Sequence, residues 1–521
     1  MPTKTRPAVK LKTYSEQLER FHAQLEEAEF KQLTGQEQGA GLAAIYAGHA
    51  SLFSRESLDA LADLAASDDD AGRQARELYR YALGKHLAAA VAPLTEQLEI
   101  AEARAVVVWR GERIPYRQVW NRAAEIANRT ERNALAASYT EAVEALNAIR
   151  EERQAATAEA IHDLGYVDVP DMVGRTAGFD VQALASEMLA FLADSETVYF
   201  AALRRNLAEI DIEQGDASEI DLAYVLRGVQ WDRWFPAHRV VEALSATLAG
   251  MGIDLARQHN LTLDLDPRPT KSPRAFCATV EVPGDVRLSI QPRGGWDDYA
   301  ALLHEAGHAE HFAHVAASVP VAYRLLGDDS LTEGYAFLFE RLIGDPAWLR
   351  GILGVPEADA VALADFSAFW YLHAVRSVAA QLVYELYLHG TDDTALARAQ
   401  YSGTLGLMLG VRVAPEGYLA YVDDGLYVAR YARAVMVEGS LSARLRTSHG
   451  ESWWTSAAAG ETLRGSWSRG QEWDAERVVA HLGYDHLDWR PVLRQIRTRL
   501  IGEMSGYGGP NITTRAGTRK V

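Results

Sequence analysis

Apolar residues recur at spacings of three and four along most of the chain, as in Leu18-Phe21-Leu25, Leu58-Leu61-Leu64 and Ala142-Leu146-Ile149. Such spacing lays one apolar stripe along a helix. Residues 14–161 are also rich in the Ala, Leu, Glu, Gln and Arg that favour helix. The runs break at Gly39-Ala40-Gly41 and Ser67-Asp68-Asp69-Asp70, so the pattern predicts shorter antiparallel helices packed together rather than a heptad coiled coil. A hinge-like stretch spans Gly165 to Pro170, and helical signal resumes near Val181.

The texture changes between about 260 and 295. Leu261-Thr262-Leu263-Asp264-Leu265, Ala275 to Val282 and Val286-Arg287-Leu288-Ser289-Ile290 read as strands, the first and last alternating with period two. Pro283-Gly284-Asp285 reads as the hairpin turn between the last two. Helical periodicity returns at Trp296 and persists to about Ile501. The fold class expected is therefore mainly α, with one small antiparallel β-sheet.

Composition narrows the function classes. The 521 residues are 48% hydrophobic and 24% charged, which suits a globular protein with a large buried core. Lys and Arg number 52 against 71 Asp and Glu, a formal net charge of −19. A surface this acidic repels phosphate backbones, so nucleic acid is excluded as a partner. The single cysteine, Cys277, can form no intrachain disulfide and reads as a small buried residue rather than a reactive thiol. The basic N-terminus lacks the apolar stretch of a secretory signal. The most apolar long segment, Phe366 to Tyr387, is interrupted by His373, Arg376, Gln381 and Glu385, which argues for a buried helix and against a membrane span. A cytoplasmic protein is expected.

The chemistry concentrates at Asp297 to His308, where His304-Glu305-Ala306-Gly307-His308 forms an HExxH motif. Histidines four apart on a helix share a face and can present both imidazoles to one ion. Glu305 projects beside them, placed to take a proton from a metal-activated water. Asp297 is the expected helix cap. A catalytic zinc needs a third protein ligand and one open position. His314 stands where an extended HExxHxxGxxH motif would place a third histidine, but His311 occupies the position that needs glycine, and residues 312–316 read as continuing the helix. The other candidate is Glu333, on the next helix. Ser330-x-x-Glu333 also matches a capping box, which would leave the carboxylate only a helix-start role. Glu333 is the better placed donor, with Glu340 as a reserve ligand or a partner to a ligand.

These residues resemble the thimet oligopeptidase/oligopeptidase F family of zinc peptidases, of the HExxH-plus-distant-Glu (gluzincin) type. The resemblance rests on Ser272-Pro273-Arg274-Ala275-Phe276, the HEAGH helix and Leu331-Thr332-Glu333-Gly334. It is strongest from about 274 to 349 and weaker to about 441. It implies a two-lobed helical metallopeptidase fold with a deep channel, one Zn2+ held by His304, His308 and Glu333, and Glu305 as general base. It further implies that a peptide adds to the strand Val286 to Ile290 as to a sheet edge, and that tyrosines of the segment Tyr418 to Tyr431 stabilise the oxyanion. Tyr427 and Tyr431, four apart, are the candidates. The family's upstream histidine has no counterpart, because no histidine lies between His389 and His449.

The organisation expected is a basic tail at 1–13, a helical region at 14–165, a catalytic region at 166–505 with its zinc site at 297–345, and a flexible tail at 506–521. The activity expected is hydrolysis of short peptides by metal-activated water. A different zinc amide hydrolase, a non-haem iron oxygenase using the same ligands and a non-catalytic, metal-stabilised binding protein remain as alternatives. The partner expected is a peptide or small amide; the sequence leaves the oligomeric state open.

Overall fold

The computed structural model describes residues 10–37, 41–272 and 274–502. Residues 1–9 of the basic tail, Gly39 and Ala40 of the expected turn, Pro273 and the expected C-terminal tail lie outside them. The architecture is mainly helical. In chain order the elements used below are α1 (Leu11–Leu33), α2 (Asp70–Arg104), β1 (Val106–Trp109), β2 (Glu112–Pro115), α3 (Arg129–Asp163), α4 (Val181–Ala208), β3 (Leu261–Asp264), β4 (Phe276–Glu281), β5 (Asp285–Ser289), α5 (Trp296–Ala313), α6 (Asp329–Glu340), α7 (Glu357–Leu388) and α8 (Val428–His449).

The N-terminal periodicity folds into longer pieces than expected. Helices α2 and α3 each run for 35 residues; the expected break at Ser67 to Asp70 falls between a helix ending at Ala65 and the start of α2, where Asp69 accepts the Gly72 N–H at 2.8 Å. Between them lies an antiparallel hairpin, β1–β2. Its turn holds Arg110 at φ 52° and Gly111 at φ 82°, the left-handed pair that tight hairpins use. Helix α7 buries the apolar segment as expected, and none of the described helices is long and apolar enough to cross a membrane.

The second sheet differs from the expected one in two respects. Its strand order is β3-β5-β4, with β4 antiparallel to β5 and β3 parallel to it. The sheet is thus mixed, and β5, expected as the open edge, is the central strand. The alternating apolar face explains this placement. Val286, Leu288 and Ile290 are fully buried against Leu302, Leu303 and Ala306 of α5, and a strand so buried is paired on both sides. The edges are β3 and β4, and β4 is the one beside Glu305 of α5.

Helix α5 starts without the expected cap. Asp297 stands inside the first turn after Gly295, and it is Asp298 whose carboxylate reaches back to the Arg293 and Gly294 N–H groups at 2.5 and 2.7 Å. The helix ends at Ala313 instead of running on to 316, and His314 caps it by turning Nδ1 to the Glu310 carbonyl at 2.9 Å. Helix α6 packs across α5 at Gly307. A Cβ there would lie 2.6 Å from the Ala336 Cα and 2.7 Å from the Tyr335 carbonyl oxygen. Both neighbours are backbone, so neither can swing aside. Gly307→Ala is therefore expected to separate the two helices and destabilise the protein by about 1–3 kcal/mol, read as a lower midpoint of denaturant unfolding. An unchanged midpoint would show that the crossing is looser than described.

Candidate metal centre

Two helices supply the centre. From α5, His304 and His308 project from one face, their ring centroids 5.0 Å apart. Each is fixed through Nδ1: His304 to the Glu340 carboxylate at 2.8 Å and His308 to the Thr332 hydroxyl at 2.8 Å. With Nδ1 engaged, both rings turn Nε2 toward Glu333 of α6, whose Oε2 lies 3.5 and 3.6 Å from them.

The start of α6 separates the two readings of Glu333. The cap is Asp328, which accepts the Ser330 N–H at 3.1 Å. Asp328 is itself pinned to α8 by Arg433 Nη2 at 2.6 Å, and this guanidinium, outweighing burial, holds its carboxyl at about 2. Glu333 is left with no capping duty. Its Oε1 accepts the Tyr427 hydroxyl at 2.9 Å, while its buried Oε2 has no hydrogen-bond partner.

An orphaned carboxylate oxygen between two oriented imidazole nitrogens fits a divalent cation. Ligand atoms about 2.1 Å from a tetrahedral centre stand about 3.4 Å from one another, close to the spacings here. His304, His308 and Glu333 form a group of side chains that could hold a metal ion, with their ligand atoms within 4.8 Å of one another. Electrostatics agrees. Burial works against charge on His304, yet Glu333 and Glu340 outweigh it and lift its pKa to about 10. Burial likewise opposes the Glu333 charge, but the two histidines hold its carboxyl far below the usual range. The pocket demands positive charge.

Glu305 faces the other flank. Its Oε2 accepts the Cys277 backbone N–H of β4 at 2.9 Å, and burial pushes its carboxyl up. The tyrosines part company: Tyr427 is tied to Glu333, whereas the Tyr431 hydroxyl, its ring 5.0 Å from that of Tyr427, makes no hydrogen bond to a described residue. His311, fully buried, and His314 stand apart from the group. Glu340 serves His304 rather than the metal position. The roles of the Thr332 hydroxyl and the Cys277 amide leave no mark in the local sequence, although Thr332 stands within the Leu331-to-Gly334 run.

No protein-family model and no curated protein matches the chain. Solved structures do. An M32 carboxypeptidase from Deinococcus radiodurans R1 aligns with a TM-score of 0.58 at 15% identity, over 94% of this chain and 97% of that one. Metallocarboxypeptidase 1 of Trypanosoma cruzi aligns at 0.56 and 14%, over 96% and 100%. A candidate oligoendopeptidase F from Bacillus anthracis str. Ames aligns at 0.59 and 14%, over 95% and 86%. The chain shares their helical fold along nearly its whole length.

With Thr332 and Glu340 fixing the imidazoles, Thr332→Val and Glu340→Gln should each weaken binding of a divalent cation by about 10–100-fold. Competition with a chromogenic chelator measures this; affinities unchanged in both variants would remove their orienting role.

Proposed function

We propose that the protein is a zinc-dependent peptidase acting on short peptides, with His304, His308 and Glu333 as ligands. The observation that carries the reading is the unpartnered Glu333 Oε2, set about 3.5 Å from two imidazole nitrogens oriented toward it. The shared fold supports it, since the aligned structures named above include peptidases. The borderline-soft donor set of two nitrogens and one oxygen suits zinc. A zinc ion there would polarise the scissile carbonyl and acidify a water.

The chain's own residues do the rest. Glu305 takes the proton of the attacking water and delivers it to the departing amine. Burial raises its carboxyl, which makes it a stronger base. The Cys277 amide keeps this carboxylate pointed at the cleft. Tyr431, whose hydroxyl is uncommitted, donates to the oxyanion as the carbonyl becomes tetrahedral. Tyr427 acts differently from the expected pairing: by donating to Glu333 it fixes the third ligand and leaves Oε2 for the metal. The absent upstream histidine is then replaced by one tyrosine hydroxyl.

Three variants separate these roles. Glu305→Gln should lower kcat by about 10²–10⁴ with zinc content intact. Tyr431→Phe should lower kcat by about 10²–10³ with zinc affinity intact, whereas Tyr427→Phe should weaken zinc affinity. Elemental analysis of protein purified without added metal, together with peptide turnover before and after chelation, checks all three. Full turnover by zinc-loaded Glu305→Gln, or iron as the resident metal, would sink the proposal.

A further inference from the structure

The open edge of β4 is closed at one end by the N-terminal helix. In the antiparallel β4–β5 pair, Phe276 and Ala278 lie opposite Ser289 and Arg287. The backbone groups of Cys277 and Thr279 point away from the sheet, toward the cleft edge, as their bonds show. The Cys277 N–H goes to Glu305 at 2.9 Å. The Thr279 N–H goes to Glu26 Oε2 of α1 at 3.1 Å, and the Thr279 carbonyl accepts from His22 Nε2 at 2.7 Å. Two further contacts anchor α1 beside the strand. Phe30 packs on Phe276 with ring centroids 5.9 Å apart, and Glu27 pairs with Arg287 at 2.6 Å.

A peptide backbone adding to this edge can therefore donate to the Cys277 carbonyl, whose own N–H is held by Glu305, but finds no group to pair with at Thr279. Both outward groups at Thr279 are already taken. Outward positions on a strand repeat every two residues, about 6.6 Å. A chain with its reacting carbonyl beside Glu305 thus meets Glu26 after roughly two or three residues. Glu26 is half-buried and spends one carboxylate oxygen on Thr279; its Oε1 makes no hydrogen bond to a described residue. Glu29 lies near enough for Glu26 to raise its carboxyl further, on top of burial. Lys85 acts on the same cluster, lowering the Glu29 carboxyl against the burial and Glu26 that raise it, and donates to the Tyr46 hydroxyl at 3.2 Å. What fits such a terminus is a cation. A peptide laid antiparallel to β4 offers its α-ammonium there, whereas a parallel one would press its carboxylate on Glu26.

We propose that Glu26, with His22, forms an amino-terminal stop on the β4 edge, so that the enzyme takes peptides with a free α-ammonium and releases a fragment of about two or three residues from that end. This deepens the peptidase reading and rests on it. Glu26 acts as a specificity-determining residue and takes no part in the bond-breaking step.

The test has two arms. In the first, zinc-loaded enzyme is given one decapeptide as the free amine, the N-acetyl form and the C-terminal amide, and products are sized by mass spectrometry. The free and amidated peptides should be cut at one position near the amino end, the acetylated one at least about tenfold more slowly, and Glu26→Gln should erase that difference. In the second arm, trialanine and N-acetyl-trialanine are titrated into Glu305→Gln protein by calorimetry. The free amine should bind at least about tenfold tighter, and equally with its acetyl form once Glu26→Gln is added. Equal affinity for the two tripeptides, internal cutting insensitive to acetylation, or loss of cleavage on C-terminal amidation would overturn the stop. If no peptide is cut at all, the peptidase reading falls, and the binding arm still decides the Glu26 assignment.

Discussion

The contact on which the site depends is the crossing of α5 over α6 at Gly307, where two backbones meet without an intervening side chain. Apolar packing makes that contact firm. Leu302, Leu303 and Ala306 sink into the cluster that also contains Leu331, Tyr335 and Phe339. His304, His308 and Glu333 flank the crossing, so the distances among their donors follow from how closely the helix axes approach. On the outer flank the same helix offers Glu305 to β4, and the Cys277 amide receives it. One helix is thus held from two directions, by a neighbouring helix and by a strand.

Polar pins then fix what apolar packing leaves free. Arg433 of α8 holds Asp328, the cap of α6, and also pairs with Glu476 at 2.8 Å. Tyr427, at the start of α8, holds Glu333. The helix bearing the third candidate ligand is therefore attached to the tyrosine-bearing helix at two points. Arg433 is buried and Asp328 partly so, and breaking such a pair leaves a poorly compensated charge that costs up to about 3–5 kcal/mol. The arrangement explains why an acid as short of partners as Glu333 Oε2 is tolerated. Its surroundings are over-determined, and its position is not its own to choose.

How much of this the sequence carried depended on how local each signal was. The pairing of His304 with His308, and of Glu305 beside them, follows from helical spacing alone. Glu333 was visible as an acid on the next helix, yet Ser330-x-x-Glu333 imitates a cap. The true cap, Asp328, lies two residues before the pattern begins. Tyr427 and Tyr431 look equivalent four residues apart, and only the third dimension gives one of them to Glu333. Strands at 261–264 and 285–289 were legible from alternation, and 276–281 from its apolar run before a Pro-Gly-Asp turn. Their order was not, because the parallel pairing of β3 with β5 is non-local and depends on which face α5 covers. The hairpin at 106–115 carried a β-branched run and a glycine turn, but long helical patterns on both sides masked it. The reach of α1 to β4, across 253 residues of sequence, left no local trace.

The Gly307 crossing also bears on which ions the group would tolerate. Because the gap between α5 and α6 is set by contact between main chains, the donor triangle cannot breathe to follow a larger guest. Calcium, which asks for six to eight oxygens at about 2.3–2.6 Å, meets a rigid aperture with too few donors and the wrong radius. Selectivity by size is then written into the skeleton of the protein, and it persists through any drift of side chains that spares one glycine.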